Sequence, residues 1–232
     1  FKNDPQTASR HFKRMYDVAV SVVSRARGAY WLGRAAQALG EDDKAKGWYQ
    51  VAAKNGTSFY GQAAAVDLYG QVNISAPADL KASAAESAAF EQKDLVRIIR
   101  TARQMGNAEI VRIFFKAQVE DVKTQAEASL TVALATEMRR PDLAAWAAKN
   151  CGRKGFVVGQ QGYPQMLRLP SSPEAALINA IIRQESGVYQ YAESPAGALG
   201  YMQIMPATGR ELARKMGETG GTDRLLSDGA YN

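Results

Sequence analysis

The chain has 232 residues, 46% hydrophobic and 22% charged, a balance that sustains one or two compact domains with packed cores and excludes a disordered chain. The net charge of +6 suits an anionic partner such as nucleic acid, a membrane surface or a carboxylate-bearing polymer, and charge alone does not choose among them. The 29 basic residues are spread along the chain with only short pairs such as Arg139-Arg140, which is the pattern of a solvated surface and not of a nucleic-acid stripe.

Through the first 150 positions apolar residues recur at spacings of three and four, with almost no alternating β-branched runs, so an all-α region of successive amphipathic helices is predicted. The helices are placed at about 8–27, 29–39, 42–54, 58–70, 84–105, 107–119, 124–138 and 141–149. Gly40, Asn55-Gly56, Gly106-Asn107 and Pro141 separate several of them, because these residues end helices or enter turns at low cost. Arg10, His11, Lys13 and Arg14 interrupt the first helix, so no signal-peptide core is read there, and no later stretch has the uncharged length of a membrane span. His11 reads as a surface side chain. Short antiparallel helices with small residues at their contacts build a helical solenoid, and Tyr30-Trp31-Leu32-Gly33-Arg34-Ala35-Ala36 and Trp48-Tyr49-Gln50-Val51-Ala52-Ala53 fit that style. Their aromatic rings read as core, with a sugar-stacking surface as the alternative.

Between Asn150 and Pro173 the chain turns rich in Gly, Pro and polar residues, which marks a junction. The predicted organisation is a helical superhelix over 1–150, a junction over 151–172 and a second helical domain over 173–232. Cys151, the single cysteine, excludes an internal disulfide and reads as a small apolar residue. One cysteine and one histidine give little for a metal to bind, so no metal or other cofactor is expected.

A fresh helix is predicted from Pro173 to about Ser186, with Ser172 as N-cap and Pro173 at the first helical position. Leu177, Ile178, Ile181, Ile182 and Glu185 fall at i, i+1, i+4, i+5 and i+8 on one face, so the carboxylate of Glu185 ends an apolar stripe. A carboxyl group set against hydrocarbon loses hydration of its charged form, which favours its use as a proton donor. Spacing alone leaves the ordinary alternative open, a half-exposed helix-end glutamate paired with Arg183.

Downstream comes the run Ser194-Pro195-Ala196-Gly197-Ala198-Leu199-Gly200-Tyr201-Met202-Gln203-Ile204-Met205-Pro206-Ala207-Thr208. Gly197 and Gly200 permit tight turns and close approach of a bulky ligand, Pro206 can open the next helix, Gln203 offers an amide to sugar hydroxyl or acetamido groups, and Met202 an adaptable apolar contact. A purely structural glycine loop is the alternative. No Gly-Lys-Ser/Thr comes after it, so a phosphate-binding loop is excluded.

With the Glu185-Ser186 pair ahead of it, this run resembles the signature of the family 1 lytic transglycosylases: Glu-Ser, then Ser-x-x-Gly-Ala-x-Gly-Leu-Met-Gln-x-Met-Pro-x-Thr-Ala. Departures are Tyr201 where leucine is usual and Gly209 where alanine is usual. The resemblance is strong over 174–208. It extends more loosely to Tyr163-Pro164, to the Tyr-Trp-Leu-Gly-Arg-Ala segment and to Ser58-Phe59-Tyr60-Gly61-Gln62, which are similar to the soluble branch of the family. It implies a helical solenoid followed by a lysozyme-like catalytic lobe, acting on peptidoglycan. It further implies that Glu185 is the catalytic acid and base, that Ser194, Met202 and Gln203 face the substrate, and that Ser186, Gly197, Ala198, Gly200, Tyr201, Met205, Pro206 and Thr208 shape the motif.

Ordinary glycosidases use two carboxylates. Glu193, Asp223 and Asp228 lie in predicted loops with no supporting motif, and the chemistry implied by the resemblance needs only Glu185. It protonates the bond between N-acetylmuramic acid and N-acetylglucosamine, with help from the substrate's acetamido group. It then deprotonates the muramyl C6 hydroxyl, giving a 1,6-anhydro end. A lysozyme-like hydrolase and a helical scaffold that binds without cutting stay open as alternatives. Ala230-Tyr231-Asn232 lies too close to Gln203 to match the family's later Ala-Tyr-Asn motif, and Leu225-Leu226-Ser227-Asp228 leading to Asn232 is more similar to an earlier Leu-x-Asp-Pro-x-x-Asn segment. Tyr231 is therefore not assigned as a site tyrosine, and the lobe is expected to be incomplete at its C-terminus. The implied substrate points to the periplasm.

Overall fold

The computed structural model describes residues 4–72, 81–166, 169, 172–218 and 221–232. Among them there are helices, turns and two isolated β-bridges, Glu193 with Leu199 and Leu199 with Ile204, as the all-α reading predicts. No described helix is long and apolar enough to cross a membrane. By compactness the chain divides into Phe1–Pro77 with Cys151–Val157, and Ala78–Asn150 with Val158–Asn232.

The first unit holds α1 (Pro5–Val18), α2 (Val22–Ala38), α3 (Asp42–Ala53) and α4 (Phe59–Tyr69). Sequence periodicity predicted one helix across 8–27, but the chain breaks at Ala19–Ser21 instead. Ser21 caps α2, its Oγ accepting the Ser24 N–H at 3.1 Å, and α2 then runs straight through Gly28. Gly28 is buried in mid-helix because α1 crosses there: a Cβ on it would stand 3.0 Å from Tyr16 Cβ. Gly33 does the same for the Tyr49 ring, which a Cβ would meet at 2.6 Å. Tyr30 and Tyr49 are buried, which supports the core reading of these aromatics, and the Tyr49 hydroxyl donates to Gln37 Oε1 at 2.9 Å. Burial pushes that hydroxyl up to about 12. Trp31 lies nearer the surface, stacked on Phe12 with centroids 5.6 Å apart. His11 is exposed, and Cys151 is buried, with burial pushing its thiol up to about 11.

The second unit begins with α5 (Ala84–Glu91), α6 (Asp94–Gln104), α7 (Ala108–Asp121), α8 (Gln125–Glu137) and α9 (Pro141–Arg153), of which α9 ends in the first unit. The predicted helix 84–105 is two helices. The break falls at Gln92–Lys93, and the Lys93 Nζ pairs with Asp121 at 2.8 Å and Glu127 at 2.9 Å. α6 turns Val96, Ile99 and Ala102 inward, and Phe115, Val119, Ala128 and Val132 complete the core from α7 and α8. Two polar side chains sit among them fully buried. Gln118 of α7 and Thr131 of α8 have no hydrogen-bond partner for their side-chain polar atoms.

The unit continues through a 3₁₀ turn at Gln160–Gly162 to α10 (Ala175–Glu185), α11 (Pro206–Met216) and α12 (Arg224–Ser227). α10 starts two residues later than predicted. Ser172 does not cap it and Pro173 is not its first residue; its first hydrogen bonds close on the Glu174 carbonyl, which accepts from Leu177 N and Ile178 N. α11 does open at Pro206, where a missing N–H costs nothing.

Candidate active site

α10 packs through Ile178 and Ile182, which form a small core with Ala145 of α9 and with Val188, against which Tyr201 and Met202 lie. Asn179 ties the preceding segment down: its Oδ1 accepts the Met166 N–H at 2.8 Å and its Nδ2 donates to the Ala175 carbonyl. Glu185 is the last residue of this helix, and it is exposed. The hydrocarbon setting expected for it is therefore corrected. Leu177, which shares its stripe, is 47% exposed, and the packed side of α10 stops at Ile182, one turn short of Glu185. Arg183 is not its partner either. That guanidinium donates to the Gly162 carbonyl at 2.6 Å and lies 4.2 Å over the Tyr163 ring, and burial holds its pKa down. The Glu185 carboxylate has no hydrogen bond or ion pair among the described residues.

The turn immediately after Glu185 is held tightly. Ser186 Oγ donates to the Ile182 carbonyl at 3.1 Å, and Gly187 and Val188 take left-handed backbone, φ 62° and 68°. A β-branched residue in that region costs about 1–2 kcal/mol. The buried Val188 side chain, wedged among Ile178 and Ile182, offsets it.

The glycine-rich run 194–205 is a loop braced by side chains that bond to backbone. Ser194 Oγ accepts the Ala198 N–H at 2.9 Å and its carbonyl accepts Gly197 N at 2.8 Å, closing a turn for which Gly197 supplies φ 82°. Leu199 and Ile204 exchange both backbone hydrogen bonds at 3.0 Å. Gln203, itself left-handed at φ 51°, folds its Nε2 back to the carbonyls of Ala192 at 3.1 Å and Gly200 at 3.0 Å. Its amide nitrogen is thus spent on the loop, which leaves Oε1 for a ligand. Met202 and Tyr201 turn toward the Ile178–Ile182 core, and Met205 is 43% exposed beside the exposed Thr208.

Asn232 locks this loop to α12. Its Oδ1 accepts the Met202 N–H at 2.7 Å, and its Nδ2 donates to the carbonyls of Leu199 and Leu225, both at 2.9 Å. Gly200 lies so close beneath that a Cβ would run into the Leu225 carbonyl and the Asn232 amide. Gln190 adds a bond to the Leu226 carbonyl at 3.1 Å. Asp228 accepts the backbone N–H groups of Ala230 and Tyr231 and pairs with Arg224 at 3.0 Å; the Arg224 bond, with those N–H groups, holds its carboxyl below the usual range. Arg224 also lies 4.0 Å over the Tyr231 ring, so Asp228 and Tyr231 act as braces. Glu193 is exposed, in the bridge with Leu199.

Both departures from the motif have a local reason. Tyr201 lies on Gly229, where a Cβ would stand 2.7 Å from the ring, and Gly209 is buried in α11 at a point where a Cβ would stand 3.0 Å from Leu225 Cδ1.

Residues 165–229 match the family described as Transglycosylase SLT domain. The SLT segment so defined takes in α10, Glu185, the braced loop, α11 and α12. No curated protein matches the chain. The fold is similar to that of a lytic transglycosylase Slt from Pseudomonas aeruginosa, solved as an inactive glutamate-to-glutamine mutant. That match has a TM-score of 0.67 at 20% identity and covers 88% of this chain and 34% of that one. The 70 kDa soluble lytic transglycosylase Slt70 from Escherichia coli matches with a TM-score of 0.60 at 20% identity, covering 88% of this chain and 34% of that one. A complex of the 70-kDa soluble lytic transglycosylase with bulgecin A gives 0.58 at 18%, covering 97% and 39%. These likenesses establish an all-helical fold similar to that of those proteins, and the chain spans about a third of the length of the first two.

The sequence did not point to Asn232, Gln190 or Gly229 as braces of the SLT segment. Amides that bond to distant carbonyls leave no periodic trace, and the Gly229 contact depends on which side chain lies above it.

Proposed function

We propose that the chain cleaves the glycan strands of peptidoglycan as a lytic transglycosylase, with Glu185 as general acid and then general base. The observation that carries the reading is the exposed Glu185 carboxylate at the end of α10, unpaired among the described residues and inside the segment that matches the SLT domain together with the braced loop. A bound strand lying over the exposed Glu185 excludes water from the reacting bond. Glu185 then protonates the glycosidic oxygen between N-acetylmuramic acid and N-acetylglucosamine while the substrate's acetamido group assists departure. The resulting carboxylate takes the proton of the muramyl C6 hydroxyl as that oxygen closes on C1, so one carboxylate serves both steps and no water is consumed. The resemblance implies substrate contacts for Ser194, Met202 and Gln203; of these, Gln203 keeps its Oε1 for a ligand, while Met202 packs toward the Ile178–Ile182 core and Ser194 Oγ is held by the Ala198 N–H. The inactive form of the similar Pseudomonas aeruginosa protein exchanges a glutamate for glutamine, the same exchange that tests this reading. A peptidoglycan substrate places the protein in the periplasm.

Glu185→Gln removes the proton while keeping the shape. Release of anhydro-muropeptides from digested cell wall, followed by mass spectrometry, is expected to fall by about 10²-fold or more with an unchanged melting temperature. Retained release overturns the assignment of Glu185. Reducing-end muramic acid in place of the anhydro form would identify a hydrolase.

A further inference from the structure

Beside Glu185 the second unit holds a pocket of about 170 Å³ whose floor is Ser186 and Gly187, the two residues next after the glutamate in the chain. Trp146 of α9 and Tyr189 form apolar walls, and two cations, Arg112 and Lys116, enter from α7. The cations stand at i and i+4, a spacing at which like charges repel and cost a helix a few tenths of a kcal/mol. Neither has a carboxylate partner among the described residues. The acid in the lining, Asp142, is already taken: Arg140 holds both of its oxygens, at 2.8 and 2.7 Å. Lys116 places its Nζ 5.5 Å from the centre of the Trp146 ring, which orders the ammonium and leaves its charge uncancelled. The pocket is therefore positive, apolar-walled and contiguous in sequence with the catalytic position.

We infer that this pocket binds a carboxylate carried on the glycan strand, with Arg112 and Lys116 as the charged contacts and Trp146 and Tyr189 packing on the group that bears it. A glycan held only by its hydroxyl and acetamido groups gives two unpaired cations nothing to bind, whereas a carboxylate satisfies both and removes their mutual repulsion. The proposal rests on the reading of the substrate as peptidoglycan, whose carboxylates come from two sources, the peptide substituent and the lactyl group of muramic acid.

Binding to the Glu185→Gln chain, measured by calorimetry, tests the pocket without turnover. The ligands are a peptide-bearing glycan oligomer, the same oligomer with its peptides removed so that the lactyl carboxylates are bare, and a chitin oligomer with no carboxylate. At least one carboxylate-bearing oligomer is expected to bind about tenfold or more tightly than chitin, and Arg112→Ala with Lys116→Ala is expected to erase that advantage without changing the far-ultraviolet circular dichroism. Arg112→Lys is expected to retain most of it. Preference for the peptide-bearing form assigns the carboxylate to the peptide, preference for the peptide-free form assigns it to the lactyl group, whose carboxyl is freed from its amide bond only there, and equal preference for these two over chitin shows that the pocket takes either. Equal binding of all three, no binding of any, or an advantage that survives the double substitution overturns the proposal. Selective binding by a chain that does not cut glycan would leave the pocket standing and overturn the catalytic reading instead; cutting without selectivity would do the reverse.

Discussion

The packed helices α1–α4 and the braced loop of the SLT segment are held together by different means. In α1–α4 the contacts are made by absence, where Gly28 and Gly33 let neighbouring helices and the Tyr49 ring close in, and the apolar faces do the rest. In the loop 194–205 there is little apolar burial, and Ser194, Gln203 and Asn232 bond side chain to backbone instead. A region of the first kind tolerates change as long as volume is kept, while one of the second kind depends on single atoms.

That contrast can be broken at Gly200. Gly200→Ala has to place a Cβ into the Leu225 carbonyl and the Asn232 amide at a backbone φ of 76°, and a cost of about 3 kcal/mol or more is expected, read as a drop in thermal midpoint. Asn232→Ala comes next. It removes three hydrogen bonds that each contribute about 1 kcal/mol net, so a loss of about 2–3 kcal/mol is expected, with faster amide exchange at Met202 as the local readout. Among the packed helices, at α7, the expected sign reverses. Gln118→Met replaces an unpartnered buried amide by an apolar chain of similar volume and is expected to raise stability by about 1 kcal/mol in denaturant titration. Were it to destabilise, Gln118 would have to be serving as a polar brace, and the contrast between the two regions would fail.

The smallest expected effect is on acid stability. The bond from Lys93 holds the Asp121 carboxyl below its usual range and the bond from Arg100 does so for Glu137, so each binds protons less readily folded than unfolded. Their contribution is fully present above the unfolded values of about 4 and is lost as pH falls through the lower folded values. Melting temperature is therefore expected to drop from about pH 5 downward and the drop to shrink in high salt, because both carboxylates are partly exposed. A salt-independent acid transition would assign the loss to other groups.

The helices were legible because burial leaves a period: α3, α4, α8 and the starts of α5 and α9 fall within a few residues of where the apolar spacing put them. The failures share a cause. At position 28, left between the predicted helices 8–27 and 29–39, a glycine is a packing contact inside one helix, at Ala19–Ser21 a serine cap interrupts an unbroken apolar period, and at Gln92–Lys93 a break that spacing does not mark stands beside a distant ion pair. In the SLT segment the motif glycines and Pro206 were legible, because positive φ and a missing N–H belong to the residue itself. The exposure of Glu185 was not, because a helical wheel records direction and not where the packing along the helix ends.

Tyr201 and Gly229 are coupled positions. A Cβ at 229 would stand 2.7 Å from the Tyr201 ring, so a side chain there has to displace that ring, and a change at either position is felt at the other.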